Sequence, residues 1–140
     1  MKFRVGFGYD MHQLQSGREL WLGGIKIDHD KGLLGHSDAD VIIHAICDAL
    51  LGAANLRDIG YHFPNTATEY SYKVGNIDVT VCAEKPKINP HIPSMQKVLC
   101  EVMQIDEDDL SIKATTSEKM GFVGREEGIT AYAVALIVKF

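Results

Sequence analysis

One segment combines an almost continuous apolar pattern with three ionisable positions. Between Val41 and Ala54 nearly every residue is apolar, which predicts a buried helix. Asp40, His44 and Asp48 interrupt the pattern at intervals of four, so they would share one face of that helix. Two interpretations stay open at this point. Either the stripe has a chemical role, or Asp40 only caps the helix and Asp48 hydrogen-bonds a core histidine.

Polar residues mark the predicted start of this helix. Ser37, with Asp40 three residues later, resembles a capping box, and Asp38 suits the positive end of the helix dipole. We therefore expect His36 and Ser37 to lie at a helix N-terminus, where anions bind readily.

The remaining pattern predicts a layered domain. Alternating apolar positions predict strands over residues 2–9, 20–27, 74–83, 110–115 and 129–138, and helical spacing predicts a helix over 93–105. The last strand is apolar at both its odd and its even positions, as is typical of a strand covered on both faces. Strands separated by helices indicate an α/β or α+β fold, in which helices pack on one face of a mixed sheet in one domain spanning residues 1–140.

Composition narrows the classes of function. The formal charge of −5 and the absence of a dense Lys and Arg run argue against a nucleic-acid surface. No apolar run reaches the length of a membrane span, and the N-terminal residues lack a signal-peptide core, so we expect a cytoplasmic protein. Cys47, Cys82 and Cys100 are odd in number and far apart, which indicates reduced thiols rather than a disulfide framework.

A candidate metal site lies near the first strand. In an extended segment Asp10 and His12 point to the same side, although an Asp-x-His pair alone is a weak motif. His44 could supply a third ligand. Two histidines and one carboxylate suit zinc and leave a fourth position for substrate, and Asp48 could orient the His44 ring.

A second chemical cluster lies between Lys113 and Arg125, in the runs KATTSEK and GFVGR. Hydroxyls, glycine-flanked amides and two cations suit phosphate oxygens. Glu118 would be the oxygen ligand of a magnesium or manganese ion bridging phosphates. Each of these candidate sites also has a structural explanation without a function. A Thr-Thr-Ser-Glu turn commonly caps a helix, and His36 can be a solvated loop residue.

Five segments carry a resemblance to a known family: GYDMH, GLLGHSDADVIIHAICDALLGAANLRDIG, HFP, GNIDVTVCAEKPKINPHIPSM and IKATTSEKMGFVGREEGI. In this order they closely resemble the 2-C-methyl-D-erythritol 2,4-cyclodiphosphate synthases over nearly the whole chain. The resemblance implies a homotrimer with active sites at subunit interfaces. It also implies cyclisation of 4-diphosphocytidyl-2-C-methyl-D-erythritol 2-phosphate with release of CMP, in the non-mevalonate route to isoprenoids.

The resemblance also implies roles for individual residues. Asp10, His12 and His44 match the zinc ligands, and Glu118 matches the ligand of Mg²⁺ or Mn²⁺ held with the substrate diphosphate. His36 and Thr116 match a pair that stabilises the transition state. Residues 58–60 match the segment that holds the methylerythritol unit, and 83–89 the cytidine-binding loop. The expected substrate contacts are Asp10, His12, His36, Ser37, Asp58, Ile59, Gly60, Phe63, Ala83, Glu84, Lys85, Pro86, Lys87, Ile88, Asn89, Thr115, Thr116, Ser117, Glu118, Phe122 and Arg125.

Two departures from the family pattern stand out. Asn65 and Ala67 replace carboxylates that usually follow the HFP segment, which affects substrate contacts from that loop. The family also carries an extra helix between the counterparts of Ser71 and Val74. We expect a helical segment to be missing from this sequence near residues 71–73, because true loss of the helix would uncover one face of the sheet.

Two other functions compete with the synthase. One is a trimeric protein that binds zinc and an isoprenoid diphosphate without turnover, and the other is a metal-dependent phosphohydrolase that uses water as the nucleophile. Thr116, Glu118 and the cytidine-type loop favour the synthase. A plastid-type organelle would replace the cytoplasm as the compartment if a transit peptide had been removed.

Overall fold

A computed structural model describes residues 1–58 and 72–139. The elements are β1 (Lys2–Ser16), β2 (Leu20–Leu22), β3 (Ile25–Ile27), β4 (Lys31–Leu33), α1 (Val41–Ala53), β5 (Tyr72–Cys82), α2 (Ile92–Met103), β6 (Leu110–Thr115), the single turn α3 (Gly121–Gly124) and β7 (Gly128–Lys139), with 3₁₀ turns at Asn89–His91 and Glu107–Asp109.

The five-stranded sheet has the order β4-β1-β7-β5-β6. Strands β1 and β7 pair antiparallel from Lys2 with Lys139 to Gln13 with Gly128. Strands β5 and β6 run parallel, and β2 and β3 form a separate hairpin. The sheet is therefore mixed, which confirms the predicted α+β class.

Both long helices pack on strands, α1 through small and branched apolar side chains and α2 through Met95, Leu99 and Cys100. Helix α1 packs on β1 and β7, and α2 packs against β6 and β3. The predicted dry face of β5 is confirmed, because Ile77, Val79 and Val81 are fully buried. The predicted strand 110–115 coincides with β6, and the predicted helix 93–105 corresponds to α2.

The first part of the chain differs from prediction. The first strand does not end at residue 9, because residues 10–13 stay paired with β7 and residues 14–16 pair with β4. Strand β4 itself lies within the predicted loop 28–35. The predicted strand 20–27 is a hairpin that turns at Gly23 and Gly24, both of which have positive φ angles.

The sheet face opposite the helices is apolar and exposed in the single chain. Phe3, Val5 and Phe7 of β1 are 62%, 66% and 61% exposed, and Tyr132 and Val134 of β7 continue this surface. The prediction that the last strand is covered on both faces therefore holds for only one face within this chain. We call these five side chains the apolar sheet face.

Several predictions fall outside the described residues. These are the expected substrate contacts Ile59, Gly60 and Phe63, the loop with Asn65 and Ala67, and Ser71 at the edge of the expected missing segment. Tyr72 and Lys73 are the first residues of β5. Within residues 1–58 and 72–139, no helix is long and apolar enough to cross a membrane. All three cysteines are free, as predicted.

Candidate functional site

Three ligand-type side chains converge where β1 passes beneath α1. Asp10 and His12 lie on the same side of β1, and His44 lies on the facing side of α1. Asp10 Oδ2 is 3.1 Å from His12 Nε2 and 3.1 Å from His44 Nδ1. The ligand atoms of the three residues lie within 4.8 Å of one another, and this is the one such group of three or more found among the described residues.

The orientation of the His12 ring is fixed by the backbone. Its Nδ1 donates to the carbonyl oxygen of Leu34 at 2.8 Å. Because a carbonyl only accepts, Nδ1 carries the proton, and Nε2, which lies 3.1 Å from Asp10 Oδ2, is the ring nitrogen that could bind a metal ion. A histidine held in this way presents the correct tautomer to a metal.

The donor set fits a divalent metal ion. A carboxylate oxygen and two imidazole nitrogens converge, and a positive charge among them relieves the repulsion of their lone pairs. The side chains of Asp10, His12 and His44 are 24%, 23% and 33% exposed, so a ligand from solvent can reach the site. The geometry therefore confirms that the three predicted residues come together.

Asp40, His44 and Asp48, the three ionisable residues at intervals of four, do not act as one group. Asp40 is the N-cap of α1: its Oδ1 accepts from the backbone N–H groups of Ile43 and Gly23, and its Oδ2 accepts from that of Gly24. The side chain is buried, and burial raises the pKa of the Asp40 carboxyl against the opposing effect of these three hydrogen bonds. Asp40 thus ties the β2–β3 turn to the helix, which supports its interpretation as a cap.

Two predictions about the helix start are wrong. Ser37 is not the cap, because α1 begins at Val41 and Asp40 occupies the cap position. His36 and Ser37 therefore lie in the loop before the helix, and both are exposed. The first-turn N–H of Ile43 donates to the Asp40 carboxylate, so the Asp40 side chain occupies the N-terminus of α1.

The proposed role of Asp48 stays a prediction. It lies one turn after His44 on α1 and is half-buried. The His44 Nδ1 atom has Asp10 as its carboxylate partner.

A cleft forms where β5 and β6 end. Because these strands are parallel, with Cys82 opposite Thr115, the loops that follow them lie side by side. The cleft has a volume of about 320 Å³. Its lining residues are Ala83, Glu84, Pro86, Lys87, Ile88, Asn89, Pro90, Ala114, Thr115 and Thr116. The structure thereby brings the predicted cytidine loop, which also includes Lys85, next to the Thr115–Thr116 pair.

The loop after β6 is held by its own polar groups. The Thr116 hydroxyl accepts from the backbone N–H of Glu118, and the Ser117 N–H donates to the Glu84 carboxylate at 3.3 Å. Glu118 is exposed and has a φ of 54°. Helix α3 starts at Gly121 without a side-chain cap, so the alternative that this turn only caps a helix is not supported.

Neither Phe122 nor Arg125 lines the 320 Å³ cleft. Phe122 lines a second cleft with Met11, His12, Gln13, Glu127 and Gly128. Arg125 is exposed, and its guanidinium donates to both carboxylate oxygens of Glu127 at 3.1 and 3.3 Å. Phe122 therefore lines a cleft together with His12, one of the three metal-type residues.

The predicted site residues fall into two sets within one chain. Asp10, His12 and His44 form the first set, and the residues around Thr115 form the second; none of the first three lines the 320 Å³ cleft. Asp58 is exposed at the end of the described N-terminal part. Sequence reasoning did not find Leu34, whose carbonyl orients His12, because a backbone acceptor leaves no signal in side-chain chemistry.

The sequence matches the profile described as the YgbB family over residues 3–72 and 66–138. The chain belongs to the YgbB family. A family relative from Bacteroides fragilis, named 2-C-methyl-D-erythritol 2,4-cyclodiphosphate synthase, is 65% identical over 98% of this chain and 98% of its own length. A relative of the same name from Porphyromonas gingivalis is 58% identical over 97% of this chain and 96% of its own length.

Solved structures agree with the YgbB assignment. The IspF protein of Plasmodium falciparum in complex with CDP has a TM-score of 0.90 and 35% identity, covering 98% of this chain and 96% of its own. The bifunctional IspDF protein of Campylobacter jejuni has a TM-score of 0.91 and 34% identity, covering 99% of this chain and 43% of its own.

The alignment with the Bacteroides fragilis YgbB relative is longer than this chain. It runs over 156 positions, whereas the chain has 140 residues, and the family model matches in two pieces that overlap over residues 66–72. Relatives in the YgbB family therefore carry positions that have no counterpart here.

Proposed function

We propose that this protein catalyses the metal-dependent cyclisation of 4-diphosphocytidyl-2-C-methyl-D-erythritol 2-phosphate to 2-C-methyl-D-erythritol 2,4-cyclodiphosphate, with release of CMP. This activity is that of a phosphorus–oxygen lyase in non-mevalonate isoprenoid biosynthesis, and it is the activity named for the curated relatives. The observation that carries the proposal is the convergence of Asp10, His12 and His44 in a chain 65% identical to a named synthase.

The reaction needs charge neutralisation rather than a protein nucleophile. An oxygen of the 2-phosphate attacks the phosphorus of the diphosphate that is distal to cytidine, and the bond from that phosphorus to CMP breaks. CMP leaves with the electron pair of that bond, so atoms and charge balance. Because attacking and leaving groups are both anionic, preorganised cations and hydrogen-bond donors lower the barrier most effectively.

Separate residues would supply these groups. The proposed zinc ion, held by Asp10, His12 and His44, and a Mg²⁺ or Mn²⁺ ion near Glu118 would contribute positive charge at phosphate oxygens. Thr116 and His36 would donate to the transition state.

The substrate itself would be held in two places. The loop from Ala83 to Asn89 would bind cytidine in the 320 Å³ cleft, which the CDP complex of the Plasmodium falciparum relative supports. Thr115, Ser117, Phe122 and Arg125 would contribute further contacts.

We further propose that the protein is a homotrimer. The apolar sheet face supports this, since soluble monomers rarely expose a continuous apolar patch of this kind. The separation of the metal-type residues from the 320 Å³ cleft also supports it, because an active site between subunits would bring the two sets together from neighbouring chains. Location in the cytoplasm and the absence of a nucleic-acid partner stay predictions.

The decisive experiment is incubation of the purified protein with the cytidine-linked substrate and Mg²⁺ or Mn²⁺. Formation of CMP in equal amount to the cyclic diphosphate is expected. Release of inorganic phosphate instead would indicate a phosphohydrolase. Binding of substrate without any product would indicate a non-catalytic zinc and isoprenoid-diphosphate binding protein.

A further inference from the structure

Arg18 lies in the turn between β1 and β2 and directs its guanidinium at the backbone that follows β4. Its Nε donates to the carbonyl oxygen of Leu33 at 3.0 Å. Its Nη2 donates to the carbonyl oxygens of Gly35 and Ser37, at 3.5 and 3.4 Å. Carbonyls at three alternate positions therefore converge on one cation, a geometry that the planar fork of arginine suits better than any other side chain.

His12 also contacts this stretch of backbone, the 33–37 segment. The His12 ring donates to the carbonyl of Leu34, and it packs so closely on Gly35 that a Cβ atom there would lie 3.2 Å from His12 Cε1. The 33–37 segment is thus contacted both by a metal-type ligand and by a guanidinium. His36, one of the two residues proposed to stabilise the transition state, lies inside it.

The backbone of Arg18 is itself fixed against β4. A Cβ atom on Gly32 would lie 2.5 Å from the Arg18 carbonyl oxygen and 2.1 Å from that of Glu19, so the turn is in close contact with the strand. Both nitrogens described above donate to backbone carbonyls. This arrangement suits a residue that orders the protein backbone.

We infer that Arg18 is a positioning residue, which sets the place of His36 by holding the carbonyls of Leu33, Gly35 and Ser37. The inference rests on the proposed function and on the role proposed there for His36. Because the His36 side chain is exposed, the backbone that carries it determines where the ring can reach. A displacement of about 1 Å in a group that faces the reacting atoms can lower the rate by about 100-fold.

The test compares Arg18→Gln and Arg18→Lys with a matched control, Arg4→Gln. Arg4 also donates from its guanidinium to a backbone carbonyl, that of Ala53, but at the opposite end of α1 from His36. For each variant we would measure kcat and KM for CMP release, bound metal per subunit, and hydrogen–deuterium exchange of the amides in the 33–37 segment.

For Arg18→Gln we expect kcat to fall by about 10- to 100-fold, with little change in KM or bound metal and with faster exchange in the 33–37 segment. Arg18→Lys should lie between this variant and wild type, since one ammonium group cannot span three carbonyls. Arg4→Gln should keep the wild-type kcat and the wild-type exchange of the segment.

The inference is overturned if Arg18→Gln keeps the wild-type kcat, or if Arg4→Gln loses as much. Should the glutamine variant not fold, a wild-type kcat for Arg18→Lys overturns it equally. A wild-type protein that releases no CMP would overturn the proposed function instead. In that case hydrogen–deuterium exchange would still test whether Arg18 orders the 33–37 segment. Unchanged exchange in Arg18→Gln would show that it does not.

Discussion

Gly8 of β1 lies directly against the carbonyl oxygen of Ala45 in α1: a Cβ atom at Gly8 would lie 1.8 Å from that oxygen. Gly6 has the same relation to Ala49, one helical turn later. These two contacts set how closely the helix approaches the strand. His44 precedes Ala45 in sequence and Asp10 follows Gly8 by two residues, so the close approach is what brings the candidate metal ligands within reach of each other.

A methyl group at Gly8 should therefore be poorly tolerated. We expect Gly8→Ala to lower the free energy of unfolding by about 1–3 kcal/mol or more, since backbone atoms of α1 must move. Gly52→Ala is the matched control, because Gly52 is exposed on the same helix and its nearest neighbour would be 4.0 Å from the new Cβ. It should raise the free energy of unfolding by about 0.5–1 kcal/mol. Urea denaturation measures the free energy of unfolding of both variants. Equal changes in the two would show that the close contact at Gly8 is unimportant.

The second prediction concerns the metal centre. His44→Ala should lose the bound zinc and lower CMP formation by more than about 100-fold, because two remaining ligands hold the ion poorly. His29→Ala serves as a control, since His29 pairs with Asp30 outside the convergent trio. Elemental analysis beside the CMP assay decides the matter, and full zinc occupancy in His44→Ala would contradict the assignment.

The third prediction separates the two proposed metals. Glu118→Gln keeps the shape of the side chain but removes the charge that a magnesium-type ion prefers. We expect this variant to retain zinc and the fold but to lose most of its CMP release. Glu107→Gln, an exposed position in the 3₁₀ turn before β6, should behave as wild type. If Glu118→Gln cyclised the substrate at the wild-type rate, the two-metal proposal would be rejected.

The fourth prediction tests the trimer through the apolar sheet face. Val5→Glu should dissociate the protein to single subunits, because burying an unpaired carboxylate in an interface is costly. Val102→Glu places the same charge on a residue of α2 that is 76% exposed, more than Val5, and should leave the assembly intact. Sedimentation equilibrium at micromolar concentration measures both. A wild-type protein that sediments as one subunit would contradict the proposal at once.

The fifth prediction concerns chain length. We propose that the natural protein carries a helical segment near residues 71–73 that this sequence lacks, since alignment with a close relative extends over 156 positions. The intact mass of the protein from its source should then exceed 15.5 kDa by a helix's worth of residues. Mass spectrometry that returns 15.5 kDa would establish a true deletion.

Local pattern was sufficient for much of the fold and for part of the site. The apolar run predicted α1 within a few residues, and β6 was predicted at both ends, because helix and strand periods follow from backbone geometry near each residue. The same local rule placed Asp10 and His12 on one side of β1, which the structure confirms. The motif segments were long enough to identify the family from sequence.

Contacts distant in sequence were decided only by the tertiary structure. The pattern of β1 does not say which side faces the helix, and here the glycines face it while Phe3, Val5 and Phe7 face outward. Other features also depend on partners elsewhere in the chain. These are the full length of β1, the hydrogen bond from His12 to the Leu34 carbonyl and the hydrogen bonds from Arg18 to the 33–37 segment. Periodicity reports the conformation of a segment, whereas packing and backbone hydrogen bonds depend on which segments meet, and that is settled only when the whole chain folds.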